Sequence, residues 1–217
     1  MSILIYAESS EGKFKKVAFE LASYAKKVAE SLGTSVTAVT INATNVTELA
    51  KYGVDKVLKV NNDALAGFSA KAYSNIIKQA ALKEGAKVVV LSTTTDSMYL
   101  SGLVAVGLNA GFASNVVGLP VSTTPFQVKR TAFSNKAFNI TEITTDVKVI
   151  GLAKNSYGIV ECNGSLTEED FNPAIDAADF NVKVTATEKS SGKVSIADAD
   201  IVVSGGRGLK GPENWGM

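Results

Sequence analysis

The chain has 217 residues, 46% of them hydrophobic, which suits one domain with a substantial core, or one domain and part of another. Basic residues number 22 and acidic ones 21, with no block of like charge, so there is no electrostatic footprint for nucleic acid or an anionic membrane. Histidine is absent and Cys162 is the one cysteine, which excludes Ser-His-Asp and Cys-His catalysis, imidazole zinc sites, an internal disulfide and a Cys-x-x-Cys metal site.

The start, Met1 to Glu8, lacks a basic segment and meets an acidic residue early, unlike a secretory signal. No apolar run approaches the ~20 residues that span a bilayer. A reduced, intracellular compartment is expected: the bacterial cytoplasm first, or the mitochondrial matrix if the source is eukaryotic.

Ile3–Ala7 is a short apolar run read as a first strand. Val17, Leu21, Ala25, Val28 and Leu32 then recur at helical spacing, with Gly33 where a C-cap belongs. Val36–Ile41 is strand-like, Val46–Tyr52 a short helix between Asn45 and Gly53, and Lys56–Val60 a third strand. Ser69–Glu84 carries Ala72, Ile76, Ile77, Ala80 and Ala81 on one stripe. Val88–Leu91 reads as a strand buried on both faces, and Met98–Asn109 as the next helix. This alternation predicts an α/β fold: a Rossmann-like parallel sheet flanked by helices. Ligands in such sheets sit outside the carboxyl ends of the strands, which singles out the loops Glu8–Phe14, Asn61–Phe68 and Thr93–Ser97.

After about Gly111 the pattern changes. Val116–Ser122, Gln127–Ala132, Lys136–Glu142 and Lys148–Ala153 read as strands without intervening helices, an antiparallel β extension with a hairpin turn at Asn135-Lys136. Asn163–Ala178 is an acidic, irregular connection, in which Glu168-Glu169-Asp170 reads as a solvated face or a helix first turn. Phe180–Thr187 alternates like a strand, and Glu188–Lys193 has linker composition. Asp200–Val203 is then expected as a strand leading into Ser204-Gly-Gly-Arg-Gly208, with Pro212 opening a helix. The expected organisation is an α/β domain over 1–188, a linker over 189–197, and the beginning of a second domain over 198–217.

A strand running into glycines brings backbone N–H groups close to an anion, and Arg207 between Gly206 and Gly208 offers bidentate donors for phosphate. As a pattern alone it favours a tight βα turn with an exposed arginine, because it is neither Gly-x-Gly-x-x-Gly nor a Walker loop. Thr93–Ser97 has hydroxyls suited to a nucleotide phosphate, but its composition is also what a helix N-cap requires, and that reading is preferred. Cys162 has no base or cationic partner in view and reads as a buried or incidental thiol.

Asp200-Ile-Val-Val-Ser-Gly-Gly-Arg-Gly-Leu-Lys-Gly-Pro-Glu-Asn214 closely resembles the segment that opens the FAD domain of electron transfer flavoprotein alpha subunits. Ile3–Glu8 with Gly12-Lys13, Leu49–Leu58 and the stretch Lys129–Ala137 are similar to that family's first strand and loop, second βα junction and central hairpin. The resemblance implies an adenine nucleotide alpha hydrolase-like fold from which the nucleotide has been lost. It implies an alpha subunit paired with an electron transfer flavoprotein beta subunit. It further implies an FAD-containing carrier that moves electrons from flavin dehydrogenases, such as the acyl-CoA dehydrogenases of fatty acid beta-oxidation, to a membrane-bound quinone reductase. The family role of FAD contact carries onto Arg207, with Gly206 and Gly208 as its backbone setting. The remaining FAD motifs lie beyond this sequence, so the chain alone is expected to be catalytically silent and not to retain FAD. Two departures stand out. Where the family tends to carry Thr-x-Arg this chain has Gly151-Leu-Ala153, and where it tends to carry Gly-Arg-Asp this chain has Thr95–Tyr99. The rival readings are an adenine-nucleotide-binding module using the loop 93–97, and an interaction domain without cofactor.

Overall fold

The computed structural model describes residues 2–182, 184–186, 196, 199 and 201–216. The chain divides into two compact units, Met1–Lys183 and Val184–Met217.

The first unit opens with β1 (Ser2–Tyr6), buried throughout. A small hairpin follows, β2 (Ser9–Ser10) paired antiparallel with β3 (Lys13–Phe14). Its turn residues Glu11 and Gly12 both have positive φ, 53° and 79°, the combination a two-residue hairpin turn needs. Then come α1 (Lys16–Leu32), β4 (Ser35–Ile41), a 3-10 turn over Val46–Tyr52, β5 (Lys56–Val60), α2 (Ala70–Glu84), β6 (Val88–Ser92) and α3 (Thr95–Gly107). The two longer helices end where the sequence indicates, at Gly33 and Gly85, both in the left-handed C-cap conformation. Six strands complete the order: β7 (Gly111–Val116), β8 (Ser122–Thr123), β9 (Phe126–Ala132), β10 (Ala137–Glu142), β11 (Lys148–Leu152) and β12 (Thr167–Asp170), the last at the far edge of the sheet.

The sheet runs β10-β9-β7-β11-β6-β1-β4-β5-β12. From β7 to β12 all neighbours are parallel. Ile3, Ile5, Val36, Ala38 and Val90 face α1 in one core, whereas Leu4, Val39, Leu58, Val89 and Leu91 face α2 and α3 in the other. Alternation along each strand therefore feeds two cores, and this two-sided burial is why these strands are apolar throughout. The sheet is thus a mostly parallel α/β sheet flanked by helices, as the sequence predicts.

Four readings are corrected. The strand Lys148–Leu152 is not antiparallel; it lies between β6 and β7 and is parallel to both, so the antiparallel part is confined to β8, β9 and β10. The acidic run Glu168-Glu169-Asp170 is neither a free face nor a helix start but part of β12. It is held beside β5 because Lys59 pairs with Glu168 and Asp170, and Lys56 and Lys83 pair with Glu169. Phe180 ends a 3-10 turn, Ala177–Phe180, instead of opening a strand. Asp176 and Asp179 form a reciprocal capping box there, which overrides the alternation that follows.

In the second unit Ile201, Val202 and Val203 form no strand. They are 84%, 51% and 76% exposed, with no neighbouring strand among the described residues to complete a ladder. The linker expected at Glu188–Lys193 lies outside the described residues.

Candidate functional site

The chain order reverses beside β1: β4 and β5 lie to one side, and α2 then carries the chain back to β6 on the other. In open α/β sheets the crevice at that reversal, outside the carboxyl ends, is where ligands bind. Glu8 follows β1 there and is 2% exposed. Ser92 ends β6, and Thr94 is the N-cap of α3, accepting from the Ser97 backbone N–H. The hydroxyls of Thr94 and Ser97 each donate to Glu8 Oε1 at 2.7 Å, and the Ser92 hydroxyl donates to the same oxygen. Lys15 Nζ lies 3.1 Å from Glu8 Oε2.

Local structure explains the convergence. The β2–β3 hairpin turns the chain back so that the Lys15 N–H donates to the Glu8 carbonyl at 2.9 Å. The hairpin is fastened to the sheet by Ser9, whose hydroxyl donates to the Ile41 carbonyl, and by Thr44, whose N–H and hydroxyl both donate to the Gly12 carbonyl. A side chain at Gly12 would come within 2.9 Å of Thr44, so close approach as well as positive φ requires glycine. Burial pushes the Glu8 carboxyl up, but the hydroxyls of Ser92, Ser97 and Thr94 and the Lys15 ammonium outweigh it and hold the group below its ordinary value. Glu8 is therefore an internal anion at the N-terminus of α3, the place a ligand phosphate would occupy.

A second carboxylate does a similar task nearby. Glu20 of α1, 5% exposed, accepts the backbone N–H groups of Asn155 at 2.9 Å, Tyr157 at 2.9 Å and Gly158 at 3.0 Å. Ser23 adds two bonds to Val160, accepting from its N–H and donating to its carbonyl. The segment after β11 is thus moored to α1 by a nest of N–H groups closed around a protein side chain.

Of the residues singled out by sequence, Thr93–Ser97 takes the N-cap role through Thr94, and the hydroxyls of Thr94 and Ser97 are committed to Glu8. The participation of Glu8, and the whole of the Glu20 nest, were not foreseen. A signal existed for both: each is a carboxylate beside a buried apolar run, one before a hydroxyl-rich loop and one on a helix stripe. Cys162 is exposed rather than buried, and only its backbone N–H is engaged, with the Lys51 carbonyl. No group of acidic residues and cysteine among the described residues could hold a metal ion.

Gly206, Arg207 and Gly208 lie together in the second unit, where Arg207–Leu209 forms a single 3-10 turn. A side chain at Gly206 or Gly208 would meet nothing within 4 Å, and Arg207 is exposed. Gly205 by contrast faces Leu209 and the Trp215 ring closely. An open glycine backbone and an exposed guanidinium leave room and donors for an anionic group. Among the described residues no helix of useful length follows to add its N-terminus.

Fold and site define a Rossmann-like α/β domain whose switch point holds a buried carboxylate, Glu8, bonded by hydroxyls from β6 and the start of α3. The electron transfer flavoprotein domain family matches residues 3–186. The chain belongs to that family and corresponds to the N-terminal domain of its alpha subunits. It is 27% identical over 225 residues to the electron transfer flavoprotein subunit alpha of Thermoanaerobacterium thermosaccharolyticum, covering 99% of this chain and 68% of that protein. It is 29% identical over 215 residues to the subunit alpha of Syntrophomonas wolfei subsp. wolfei, covering 96% and 66%. It is also 27% identical over 222 residues to the lactate dehydrogenase (NAD(+),ferredoxin) subunit LctC of Acetobacterium woodii, covering 96% and 51%. The chain spans about two thirds of the length of the first two relatives.

Proposed function

We propose that this chain is the scaffold and subunit-contact portion of an electron transfer flavoprotein alpha subunit, an electron carrier rather than a catalyst. In this reading residues 1–188 form the N-terminal domain, 189–197 a linker, and 198–217 the opening of the FAD domain. FAD belongs to the intact protein, where it supplies the redox chemistry, and Arg207 between Gly206 and Gly208 would hold its anionic portion. The flavin's electrons come from a flavin dehydrogenase, such as an acyl-CoA dehydrogenase, and pass to a quinone reductase. The name of the Acetobacterium relative widens the donor class to lactate oxidation coupled to NAD(+) and ferredoxin.

The observation that carries the reading is the buried Glu8 carboxylate at the switch point, held where a ligand phosphate would sit, which points to an architectural role for the domain. It disfavours the nucleotide-module alternative, because two of the hydroxyls of loop 93–97, those of Thr94 and Ser97, are already bonded to Glu8. The outer face of α3 supports subunit contact. Met98, Tyr99, Leu103 and Val106 are 60%, 65%, 46% and 80% exposed, and the helix carries no charge after Asp96. A helix apolar on all sides is normally buried on all sides. Among the described residues no helix is long and apolar enough to cross a membrane, so a bilayer is not what covers it as a spanning helix.

The test is co-expression of the full-length protein with an electron transfer flavoprotein beta subunit. A yellow heterodimer containing FAD is expected, with Arg207→Ala lowering flavin occupancy. Failure to form a flavin-containing heterodimer would overturn the reading. The 217-residue chain alone should emerge from gel filtration without stoichiometric flavin.

A further inference from the structure

Between β11 and β12 the chain crosses from the middle of the sheet to its far edge through residues 153–166, a stretch without helix or strand. Its first part is moored to α1 by Glu20 and Ser23. Its last part is fixed at three points. The Cys162 N–H donates to the Lys51 carbonyl at 2.7 Å, Leu166 packs against the core beneath α1, and the Thr167 N–H donates to the Asp55 carbonyl at 3.0 Å. Between these points lie Asn163 and Gly164, both exposed. Neither the Asn163 side chain nor the Gly164 N–H is hydrogen-bonded among the described residues. The Gly164 main chain is nevertheless closely placed. A side chain there would lie 2.5 Å from the Ala50 carbonyl oxygen, in the 3-10 turn Val46–Tyr52. Glycine is required, because the obstacle is backbone and cannot swing aside.

Asn163 is the one asparagine in the sequence that is followed by glycine. After every other asparagine the next residue carries a Cβ that hinders approach to its own backbone nitrogen, or is Pro173, which has no N–H. The Gly164 nitrogen is therefore sterically open, without a competing bond, and held by the chain beside the Asn163 amide, so that attack on it is intramolecular. We propose that Asn163-Gly164 is a self-modifying site, at which the folded protein deamidates through a succinimide to aspartate and isoaspartate. The Gly164 nitrogen attacks Asn163 Cγ and gives up its proton, while the Cγ–Nδ2 bond breaks and that nitrogen leaves as ammonia. One water then opens the five-membered ring. Opening at Cγ restores the ordinary main chain with an aspartate. Opening at the main-chain carbonyl routes the backbone through Cβ and Cγ and leaves an isoaspartate. Water is the co-reactant throughout.

Both products add a negative charge two residues from Glu161. Isoaspartate also inserts a methylene into the main chain between the Cys162 and Leu166 anchors, where Gly164 has no spare room against Ala50. The lengthened chain must release an anchor, and the next one along is Thr167, the first residue of β12. Modification therefore loosens the start of the edge strand and accumulates with the age of the folded molecule. The contact that demands glycine at 164 is also what preserves the reactive pair. The inference is independent of the subunit reading.

The experiment incubates the full-length protein beside a free peptide of residues 161–166 at neutral and mildly alkaline pH. Peptide mapping by mass spectrometry follows each asparagine, and an isoaspartate carboxyl methyltransferase serves as the probe for the rearranged product. Asn163 should convert within about tenfold of its rate in the free peptide, because an exposed, unbonded segment gives little protection. Conversion should quicken at the higher pH, since the attacking nitrogen must lose its proton. Asn163→Ser, a change at an exposed position, should lose the isoaspartate signal. In aged wild type the amides of Cys162 and Thr167 should exchange about tenfold faster than in fresh protein, and in aged Asn163→Ser they should not. Conversion of Asn163 no faster than that of Asn109 or Asn135 overturns the inference, as does an isoaspartate signal that persists in Asn163→Ser. Conversion that leaves the exchange of Cys162 and Thr167 unchanged overturns the loosening of β12.

Discussion

Ser97, in the first turn of α3, donates its hydroxyl at 2.7 Å to the carboxylate of Glu8, 89 residues earlier in the chain. That one contact ties the end of the first strand to the start of the third helix. Its energetic meaning follows from burial: Ser97 is fully buried and Glu8 nearly so. Glu8→Ala would leave Ser92, Thr94, Ser97 and Lys15 without their shared acceptor and should cost about 3 kcal/mol, whereas Glu8→Gln should cost less because an amide oxygen still accepts. Urea unfolding of both variants measures this, and equal losses would show that charge, not the hydrogen bonds, is what matters.

The lowered pKa of Glu8 makes a pH statement with a definite sign. A depressed carboxyl contributes stability that is fully present above its unfolded value, near ~4.3, and is lost as pH falls through the lower folded value. Wild-type stability should therefore fall through that acidic window more steeply than that of Glu8→Gln, measured by unfolding at a series of pH values.

At the far edge of the sheet Glu169 is held down to about 2 by hydrogen bonds from Lys56 and then Lys83. Its pairing with Lys56 and Lys83 is therefore complete above its unfolded value near ~4.3 and is lost as pH falls towards about 2. Exposed pairs of this kind are screened by salt. Amide exchange of β12, Thr167–Asp170, should accelerate in molar salt or on acidification while the buried strand β6 keeps its protection. Unchanged exchange of β12 would mean that its backbone ladder with β5 suffices.

Glu20→Ala should release the segment it moors. The amides of Asn155, Tyr157 and Gly158 lose their acceptor, so their exchange rates should rise at least tenfold and global stability should drop by about 2 kcal/mol. Protection that survives the substitution would place the mooring in Ser23 and Val160 instead.

On the outer face of α3, Val106→Lys should leave the unfolding free energy within about 0.5 kcal/mol of wild type, because the residue is 80% exposed. The same change should weaken pairing with a beta subunit in a binding titration. A large loss of stability would show that this face is covered within the chain.

What could be read in advance divides along physical lines. Local pattern was sufficient where a residue's neighbours in sequence decide its state: the helical stripe of α2, the glycine ends of α1 and α2, and the apolar strand β6 are all where periodicity put them. The order of strands was not readable, because Lys148–Leu152 has no local feature that says parallel; its place between β6 and β7 is set by which edges remain open. β12 was hidden for a related reason. Its four residues carry three acids, a composition foreign to strands, and only the lysines of β5 and α2, distant in sequence, make it one. The site was half legible. The loop 93–97 was correctly read as a cap, but a carboxylate that is a ligand to its own fold announces itself only when β1 and β6 are seen side by side.

The two carboxylates of Glu8 and Glu20 also decide how this domain answers to its surroundings. A fold completed by a diffusible anion gains stability in proportion to the logarithm of that anion's concentration, and melts sooner when the pool is drained. Here the anions are covalently part of the chain, so their local concentration is fixed by the fold and never diluted. Its melting temperature should stay level across any titration of adenine nucleotide or phosphate, so that the cell's energy charge has no direct hold on the stability of the domain.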